Sequence, residues 1–390
     1  MEQVYIVEGV RTPIGDFMGG LFPLSSVDLG TIAAREAVKR ANLPAETVEE
    51  LTCGMIYKGG CKGNPGRQIQ LGAGFPDSGI ACTVDQQCGS AMRALEILSH
   101  QIILGKTGLG LAVGTESMSN ATYVVNNARK IRMGDVTMHD TITYDGLICA
   151  ICNYHMGLTA ENLADKYGIS REEQDELAIL SHQRARAAQA AGKFDDEMTP
   201  VIISGKKGDT VIDKDEHPRD VNKESLAKLK PAFKKDGTVT AGNASGINDG
   251  AAALLLANEE MVKKYGLKPK AKILATASAG VAAEIMGIGP VYAIPKAVKY
   301  AGLEMKDIEY YEINEAFAAQ FLACNRELKL SMDIVNANGS GIALGHPVGS
   351  TGARIVVSMM SEMKRRGNKY GVASLCVGGG PAMATVLEML

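Results

Sequence analysis

The chain lacks tryptophan, and only 5% of its 390 residues are aromatic. It also lacks long apolar runs, since none reaches the ~20 residues that a membrane-spanning helix needs. Its first residues, MEQVYIVEGVRTP, have no basic segment followed by an apolar one, as a secretion leader would have. From these absences we expect a cytoplasmic protein with no membrane partner.

The chain also lacks a large excess of charge of either sign. The 41 Lys and Arg residues nearly balance 44 Asp and Glu residues, which leaves a net charge of −3 at pH 7. The chain therefore has no overall field that would attract nucleic acid, and we expect no such partner. An anionic ligand would need a local basic patch. One candidate, which could equally be a solvated face, comprises Arg219, Lys228, Lys230, Lys234 and Lys235.

Signals for disulfides, metals and nucleotides are scarce. Eight cysteines are scattered along the chain, which favours free thiols over a disulfide framework. The only Cys-x-x-Cys pair, Cys149 and Cys152, has no second pair, and His155 does not complete a usual zinc spacing. No GxGxxG or Walker loop follows a predicted strand. We expect no metal and no permanently bound cofactor.

The sequence repeats itself at a nearly constant spacing. Residues 36–51 (EAVKRANLPAETVEEL) resemble residues 296–311 (KAVKYAGLEMKDIEYY), an offset of 296 − 36 = 260. Residues 88–98 resemble residues 349–359 at an offset of 349 − 88 = 261. Amphipathic helices can resemble each other through composition alone. Two segments at almost the same offset nevertheless favour an internal duplication.

Each copy alternates helix, strand, helix and strand, which indicates an α/β fold of two halves. We predict mixed, mostly parallel sheets packed in layers with helices. The first half is assigned to residues 1–259 and the second to 267–390. The polar residues at about 119–243 are predicted to form a loop domain inserted into the first half, with a helix that starts in a capping box of Ser170 and Glu173.

Cys88 stands in TVDQQCGSAMRAL, directly before a predicted helix. A thiol at a helix N-terminus is close to the positive end of the helix dipole, so a lowered pKa and a nucleophilic role are expected. The alternative is that Cys88 is a small buried hydrophobic residue.

His346 precedes Gly349, the position that matches Cys88 in the repeat. If the two copies pack about a pseudo-twofold axis, both helix N-termini point at one place, where His346 could serve as the base for Cys88. The alternative is a histidine that only caps a turn, since Gly-His-Pro is itself typical of turns.

Two further polar groups follow predicted strands. Cys376 leads into Val377 and three glycines, where backbone N–H groups could approach a developing oxyanion. Asn314 follows a strand at the edge where α/β folds bind ligands. Cys376 could instead begin an ordinary tight turn, and Asn314 could be a helix N-cap.

Four motifs follow one another along the chain: Cys88, the NEAF sequence at 314–317, the GHP sequence at 345–347 and Cys376-x-Gly378. In this order they resemble the thiolase family over the whole length of the chain. Longer stretches at 115–123, 155–164 and 229–253 are similar too. His155, Met156 and Met286 look most like its biosynthetic branch. The resemblance implies a reversible condensation of two acetyl-CoA into acetoacetyl-CoA and CoA, with coenzyme A thioesters as substrates and assembly as a homotetramer, a dimer of dimers.

The resemblance also implies a role for each motif residue. Cys88 would become acetylated, and His346 would activate it. Cys376 would take the α-proton of the second acetyl-CoA and, in reverse, protonate the leaving thiolate. Asn314 would hold a water that forms one oxyanion hole with His346, and the N–H groups of Cys88 and Gly378 would form the other. Positions that would line the coenzyme A tunnel are Leu147, His155, Met156, Arg219, Ser225, Phe233, Ala244, Ser245, Met286, Ala316 and Phe317.

The chain departs from the family pattern near the nucleophile. Asp85 replaces a usual Asn, Gln87 an apolar residue and Ala91 a glycine, and Pro381 stands where a glycine is usual. None of these changes removes a catalytic group, although Asp85 and Gln87 add polarity beside Cys88.

Three other functions remain as alternatives. A degradative 3-ketoacyl-CoA thiolase would cleave longer chains with the same residues, because a single methylene in a pocket is worth only ~1–3 kcal/mol. A ketosynthase should carry a second catalytic histidine in place of Cys376. A non-enzymatic lipid carrier or scaffold would be expected to lose some of Cys88, Asn314, His346 and Cys376, all of which are present.

Overall fold

The computed structural model describes residues 2–390, which form a mixed α/β fold. The first elements alternate between strands and helices, as the sequence predicts. They are β1 (Val4–Arg11), β2 (Gly15–Asp16), α1 (Ser26–Arg40), β3 (Glu50–Gly54), α2 (Pro65–Gly72), β4 (Ile80–Val84), α3 (Ser90–Ile103) and β5 (Leu109–Ser117).

After β5 the chain leaves the main sheet and returns to it with β12 (Asn248–Ala257). The residues between them form short hairpins and helices of their own. They are β6 (Tyr123–Val124), β7 (His139–Asp140), a π-helical turn (Ile142–Leu147), β8 (Ile148–Cys149), β9 (Tyr154–His155), α4 (Met156–Tyr167), α5 (Arg171–Ala190), β10 (Val201–Ile203), β11 (Thr210–Ile212) and α6 (Lys223–Ala227).

The remaining elements repeat the order of the first ones. A short helix, α7 (Glu259–Lys264), follows β12 and leads into them. They are β13 (Ala271–Gly280), α8 (Pro290–Tyr300), β14 (Tyr310–Ile313), α9 (Ala318–Leu328), α10 (Gly341–Leu344), α11 (Thr351–Arg366), β15 (Tyr370–Cys376) and β16 (Pro381–Met389).

The main sheet shows the duplication directly. Its strand order is β14-β15-β16-β13-β1-β12-β5-β3-β4, so the two halves meet where β13 pairs with β1. Reading outward from that junction, β16, β15 and β14 correspond to β12, β5 and β3. The duplicated, layered α/β fold is therefore confirmed.

The share of parallel pairing is smaller than the sequence analysis expected. Parallel ladders join β3 to β4 and β5, and β14 to β15. Antiparallel ladders join β1 to β12 and β13, β12 to β5, and β16 to β13 and β15. Helical crossovers produce parallel neighbours, but β16 follows β15 through a tight turn and must run back against it.

Side chains alternate between the two faces of each half-sheet and create separate cores. Leu254 of β12 and Leu375 of β15 share one cluster with Leu95 of α3 and Val356 of α11. Leu255, on the opposite face of β12, packs instead in the cluster that contains residues of α1. Helices α3 and α11 thus form a central layer between the half-sheets, which places the N-terminus of each helix deep in the molecule.

Local sequence signals explain where the surface helices begin. The predicted capping box at α5 is present, since the Ser170 hydroxyl accepts from the Glu173 N–H and the Glu173 carboxylate accepts from the Ser170 N–H. Ser25 and Asp28 form the same arrangement at α1. Among residues 2–390, no helix is both long and apolar enough to cross a membrane.

Candidate active site

Cys88 lies in a tight turn directly before α3, as predicted. Gln87 adopts a left-handed conformation with φ = +48°, which a non-glycine residue rarely takes. The Ser90 hydroxyl stabilises the turn by accepting from the Gln86 N–H and donating to the Gln87 carbonyl, at 2.9 and 2.6 Å. This strained turn presents the Cys88 side chain to the interior, where it is half-buried.

Burial raises the pKa of the Cys88 thiol to about 11, although the backbone N–H groups of Gly378 and of Cys88 itself contact the sulfur and oppose that rise. The expected lowering of this pKa is therefore wrong for the free protein. Desolvation of the sulfur outweighs the helix terminus and the N–H groups. Cys88 is a protonated thiol at neutral pH and needs a base to become a nucleophile.

His346 is buried with its imidazole in a defined orientation. Its Nδ1 lies 2.6 Å from Oγ1 of Thr351, and that hydroxyl lies 3.0 Å from the carbonyl oxygen of Pro347. If the hydroxyl donates to the carbonyl, it accepts a hydrogen bond from Nδ1–H, so Nε2 carries the lone pair of the neutral ring. Burial, together with the charge of Arg354, lowers the pKa of His346 to about 3, so the ring is neutral.

Asn314 is fully buried beside this ring. Its Nδ2 lies 3.4 Å from Nε2 of His346, while its Oδ1 has no hydrogen-bond partner among the described residues. The alternative role as a helix N-cap is excluded, because α9 begins at Ala318 with Phe317 as its N-cap. An unpaired acceptor next to the imidazole is suited to hold a water molecule.

Cys376 ends β15 at the same place. It is buried, and this burial raises its pKa well above the usual range of a thiol. The following turn is closed by Val377 N–H, which donates to the Pro381 carbonyl at 2.9 Å. Gly379 and Gly380 adopt φ = +88° and +110°, so the turn needs glycine at both positions. The turn directs the Gly378 N–H toward Cys88.

One cavity brings these groups together. Cys88, His346, Cys376 and Gly378 all line it. Gln87, Met156 and Gly378 also line an outer cleft of about 1180 Å³, so the cavity opens toward the surface at that point. The rest of the cavity wall is mostly apolar and comprises Tyr57, Gly146, Leu147, Ser245, Met286, Ala316, Phe317 and Val348.

Most of the positions expected to contact coenzyme A cluster here. His155 stacks on Phe233 at a ring-centroid distance of 4.5 Å, and Phe233 meets the edge of Phe317 at 6.2 Å. Ala244 forms a β-bridge with Phe317. The expected positions that line the cavity itself are Leu147, Met156, Ser245, Met286, Ala316 and Phe317.

Arg219 and Ser225 do not line this cavity. Both are exposed on the inserted segment, where the Arg219 N–H donates to His182 and Ser225 lies on α6. Lys228 and Lys230 are exposed nearby in sequence and form no ion pair with any of residues 2–390, whereas Lys234 pairs with Asp165.

Glu116 and Asn248, for which the sequence predicts no role, contact the turn of residues 345–349 that carries His346. The side chain of Asn248 accepts a hydrogen bond from the His346 N–H, and that of Glu116 accepts one from the Gly349 N–H, both at 2.9 Å. Both residues belong to stretches that already resembled the thiolase family. Their contacts with a segment some 100 to 230 residues away could not be read from the motifs.

In the Cys-x-x-Cys pair, Cys149 ends β8 and Cys152 lies in the turn between β8 and β9. Cys149 is buried, and the Cys152 N–H lies 3.4 Å from its sulfur. Among residues 2–390, no group of three or more His, Cys, Asp or Glu side chains is arranged to hold a metal ion.

One apolar cavity thus contains a thiol next to backbone N–H donors, a neutral imidazole and a second thiol. Sites of this class transfer acyl groups through cysteine. Comparison of the sequence with family models gives the same class. The model described as "Thiolase, N-terminal domain" matches residues 4–260, and the one described as "Thiolase, C-terminal domain" matches residues 267–389. The chain belongs to the thiolase family.

Individual relatives are similar over their full length. An acetyl-CoA acetyltransferase of Syntrophomonas wolfei is 46% identical over 100% of this chain and 99% of its own. A solved structure of the acetyl-CoA acetyltransferase from Syntrophomonas wolfei has a TM-score of 0.98 at 48% identity, with all of both chains covered. Human mitochondrial 3-ketoacyl-CoA thiolase in complex with CoA has a TM-score of 0.95 at 41% identity, covering 100% of this chain and 98% of that one.

Proposed function

We propose that this protein is an acyltransferase that condenses two acetyl-CoA molecules into acetoacetyl-CoA and free CoA, reversibly and through an acetyl group on Cys88. The observation that carries the proposal is the shared cavity of Cys88, His346 and Cys376. The relatives named acetyl-CoA acetyltransferase, which match the whole chain, support the choice of acetyl-CoA.

In the first half-reaction, Nε2 of His346 takes the proton of Cys88 as the sulfur attacks the acetyl carbonyl. The developing oxyanion is stabilised by the N–H groups of Cys88 and Gly378, which already converge on the sulfur. Donors of this kind are worth ~3 kcal/mol each. When the tetrahedral intermediate collapses, the C–S bond to CoA breaks, and Cys376 gives its proton to the departing CoA thiolate.

Cys376 is then a thiolate, and His346 is an imidazolium. In the second half-reaction Cys376 removes a proton from the methyl carbon of the second acetyl-CoA. The enolate oxygen is stabilised by Nε2–H of His346 and by a water held on Asn314. The enolate carbon attacks the acetyl group on Cys88, and the released Cys88 sulfur regains its proton from His346. All protons are thereby returned to their starting positions.

Coenzyme A enters and leaves as part of the substrates and is not permanently bound. Its pantetheine chain is proposed to occupy the apolar cavity and the outer cleft. One wall of the cavity is Phe317, which contacts Phe233, and Phe233 in turn stacks on His155. The exposed Arg219, Ser225 and lysines 228 and 230 are proposed to contact its polar end. The CoA complex of the human relative supports a CoA ligand.

We further propose a homotetramer, a dimer of dimers. Strand β4 is an exposed edge of the main sheet, and Ile80 on it is 59% exposed. An edge of this kind is suited to pair with another copy. The inserted segment also exposes large apolar side chains that a second contact would cover, namely Tyr123, Ile131, Met133, Val136, Met138 and Tyr144.

We propose the domain division expected from the sequence: residues 1–259, with a loop domain at about 119–243, and then residues 267–390. The separate matches of the two family models support it. A cytoplasmic location is proposed because all eight cysteines are free, as is usual in a reducing compartment.

Two measurements test the function. Mass spectrometry of a sample quenched rapidly after addition of acetyl-CoA should find an acetyl group on the Cys88 peptide, and acetylation elsewhere or nowhere would exclude the mechanism. Thiolysis of 3-ketoacyl-CoA substrates of increasing length, with free CoA, should favour acetoacetyl-CoA. A preference for long chains would instead support a degradative 3-ketoacyl-CoA thiolase, the activity named for the human relative.

A further inference from the structure

The nucleophile and its proposed base come from different halves of the molecule. Cys88 precedes α3 in the first half, whereas His346 lies in the turn of residues 345–349 that precedes α11 in the second half. Their relative position therefore depends on whatever fixes this turn, here called the histidine turn, against the first half.

Asn248 fixes the histidine turn at its beginning. Its Oδ1 accepts from the His346 N–H at 2.9 Å, and its Nδ2 donates to the Gly15 carbonyl at 3.0 Å. Gly345 adopts φ = +98°, and a Cβ atom there would approach the Asn248 side chain to 2.6 Å. Asn248 is fully buried and is thus packed directly against the backbone that carries His346.

Glu116 fixes the same turn at its end. One carboxylate oxygen accepts from the Gly349 N–H at 2.9 Å and from the Ile56 N–H at 3.0 Å, and the other accepts from the Tyr57 N–H at 3.1 Å. Glu116 is fully buried. It joins the histidine turn to the loop after β3, whose residue Tyr57 lines the catalytic cavity.

Asn248 and Glu116 hold the histidine turn together because they lie on paired strands of the first half. Glu116 lies in β5 opposite Gly250 of β12, two residues from Asn248. The imidazole itself bonds only within its own half, to Thr351 and Asn314. The contacts of Asn248 and Glu116 are therefore backbone contacts that place the whole turn and leave the chemistry of the ring unchanged.

We propose that Asn248 is a positioning residue that, together with Glu116, holds His346 within reach of the Cys88 thiol. The inference rests on the base role proposed above for His346. Displacement of a reacting group by about 1 Å can cost ~100-fold in rate. Loss of the Asn248 side chain should thus lower kcat about 100-fold and leave KM within about threefold.

The test compares Asn248→Ala with Asn258→Ala. Asn258 directly follows β12 and caps α7, so it is a buried asparagine at the end of the strand opposite to Asn248 and away from the cavity. Both variants lose the hydrogen bonds of one buried asparagine side chain, but only the first should lose activity. If the two variants unfold at the same temperature but only Asn248→Ala has a lowered kcat, the loss is due to positioning and not to general stability.

The second readout is the pH profile of Cys88 alkylation by iodoacetamide. Reaction forms the S–C bond, releases iodide and sends the thiol proton to the base. The wild-type rate should be nearly flat from about pH 5 to 9, because neutral His346 takes the proton over that range. The Asn248→Ala rate should instead rise about tenfold per pH unit, as expected for an unassisted thiol. The other titratable and charged groups nearby are the same in both proteins, namely Cys376, Tyr57, Glu116, Asp16 and Arg354.

If Asn248→Ala does not fold, Gly345→Ala perturbs the same contact by pushing against the Asn248 side chain, and its pH profile should change in the same way. A kcat and a pH profile indistinguishable from those of Asn258→Ala would overturn the inference. A wild-type protein that forms no acetyl-Cys88 would instead overturn the proposed function, so the two failures can be told apart.

Discussion

Replacing His346 by alanine should convert Cys88 from a base-assisted thiol into an unassisted one. Burial raises the pKa of Cys88 to about 11, so only roughly 10⁻⁴ of the thiol is ionised at pH 7. A general base contributes ~10²–10⁴-fold to a rate. We therefore expect His346→Ala to acetylate Cys88 at pH 7 about 100 to 10,000 times more slowly than the wild type.

The sign of the pH dependence follows from the same values. An unassisted thiol reacts as its thiolate, whose fraction grows about tenfold per pH unit below a pKa of about 11. The wild-type rate should be flat from about pH 5 to 9, since burial lowers the pKa of His346 to about 3 and keeps the ring neutral there. The defect of His346→Ala should consequently shrink as the pH rises.

Single-turnover acetylation, followed by quenched-flow mass spectrometry from pH 6 to 10, measures both effects. The matched control is His100→Ala, because His100 lies in the last turn of α3, the helix that begins behind Cys88, and is exposed. Added imidazole should partly restore the variant at pH 7. Near wild-type acetylation by His346→Ala, or a slow rate that does not change with pH, would refute the reasoning.

Two further predictions concern the second thiol and a buried ion cluster. Cys376→Ser should still acetylate Cys88, more slowly because the departing CoA thiolate loses its proton donor, but it should lose exchange of the acetyl methyl protons with D₂O, which NMR measures; loss of acetylation with exchange retained would reverse the two roles. Arg11→Met should destabilise the fold by ~3–5 kcal/mol in urea unfolding, because Arg11 is fully buried between Asp215 and Glu197 at 2.7 Å from each, and its loss leaves two buried carboxylates unpaired. An unchanged unfolding midpoint would contradict this account, and Arg67→Met, at a less buried arginine, is the control.

The sequence predicted the duplicated halves because a repeat with a constant offset is a property of the chain itself. It also predicted which groups meet, since Cys88 and Gly349 occupy equivalent positions before α3 and α11. It did not predict the ladder directions around β12 and β16, because alternation of helices and strands specifies parallel pairing only across a helical crossover. The antiparallel ladders could be identified only in the structure.

The position of Cys88 before a helix predicted a lowered pKa, whereas the pKa is raised. A helix N-terminus and nearby N–H groups are visible in the motif, but the burial that outweighs them is a property of the assembled cavity. For the same reason, Glu116 and Asn248 carried no functional signal of their own. Their significance depends on contacts with the His346 turn, which the other half of the fold brings to them.

Burial favours the uncharged form of all three proton-carrying groups of the site. It raises the pKa of Cys88 and Cys376 and lowers the pKa of His346, so each group is neutral while the cavity is free of substrate. A neutral thiol is a poor nucleophile, which limits side reactions. Charge develops only when an acyl-CoA supplies a carbonyl oxygen to the Cys88 and Gly378 N–H groups and a leaving thiolate to Cys376. The apolar wall that keeps the resting groups uncharged also strengthens those hydrogen bonds once charge appears, because the dielectric constant around them is low.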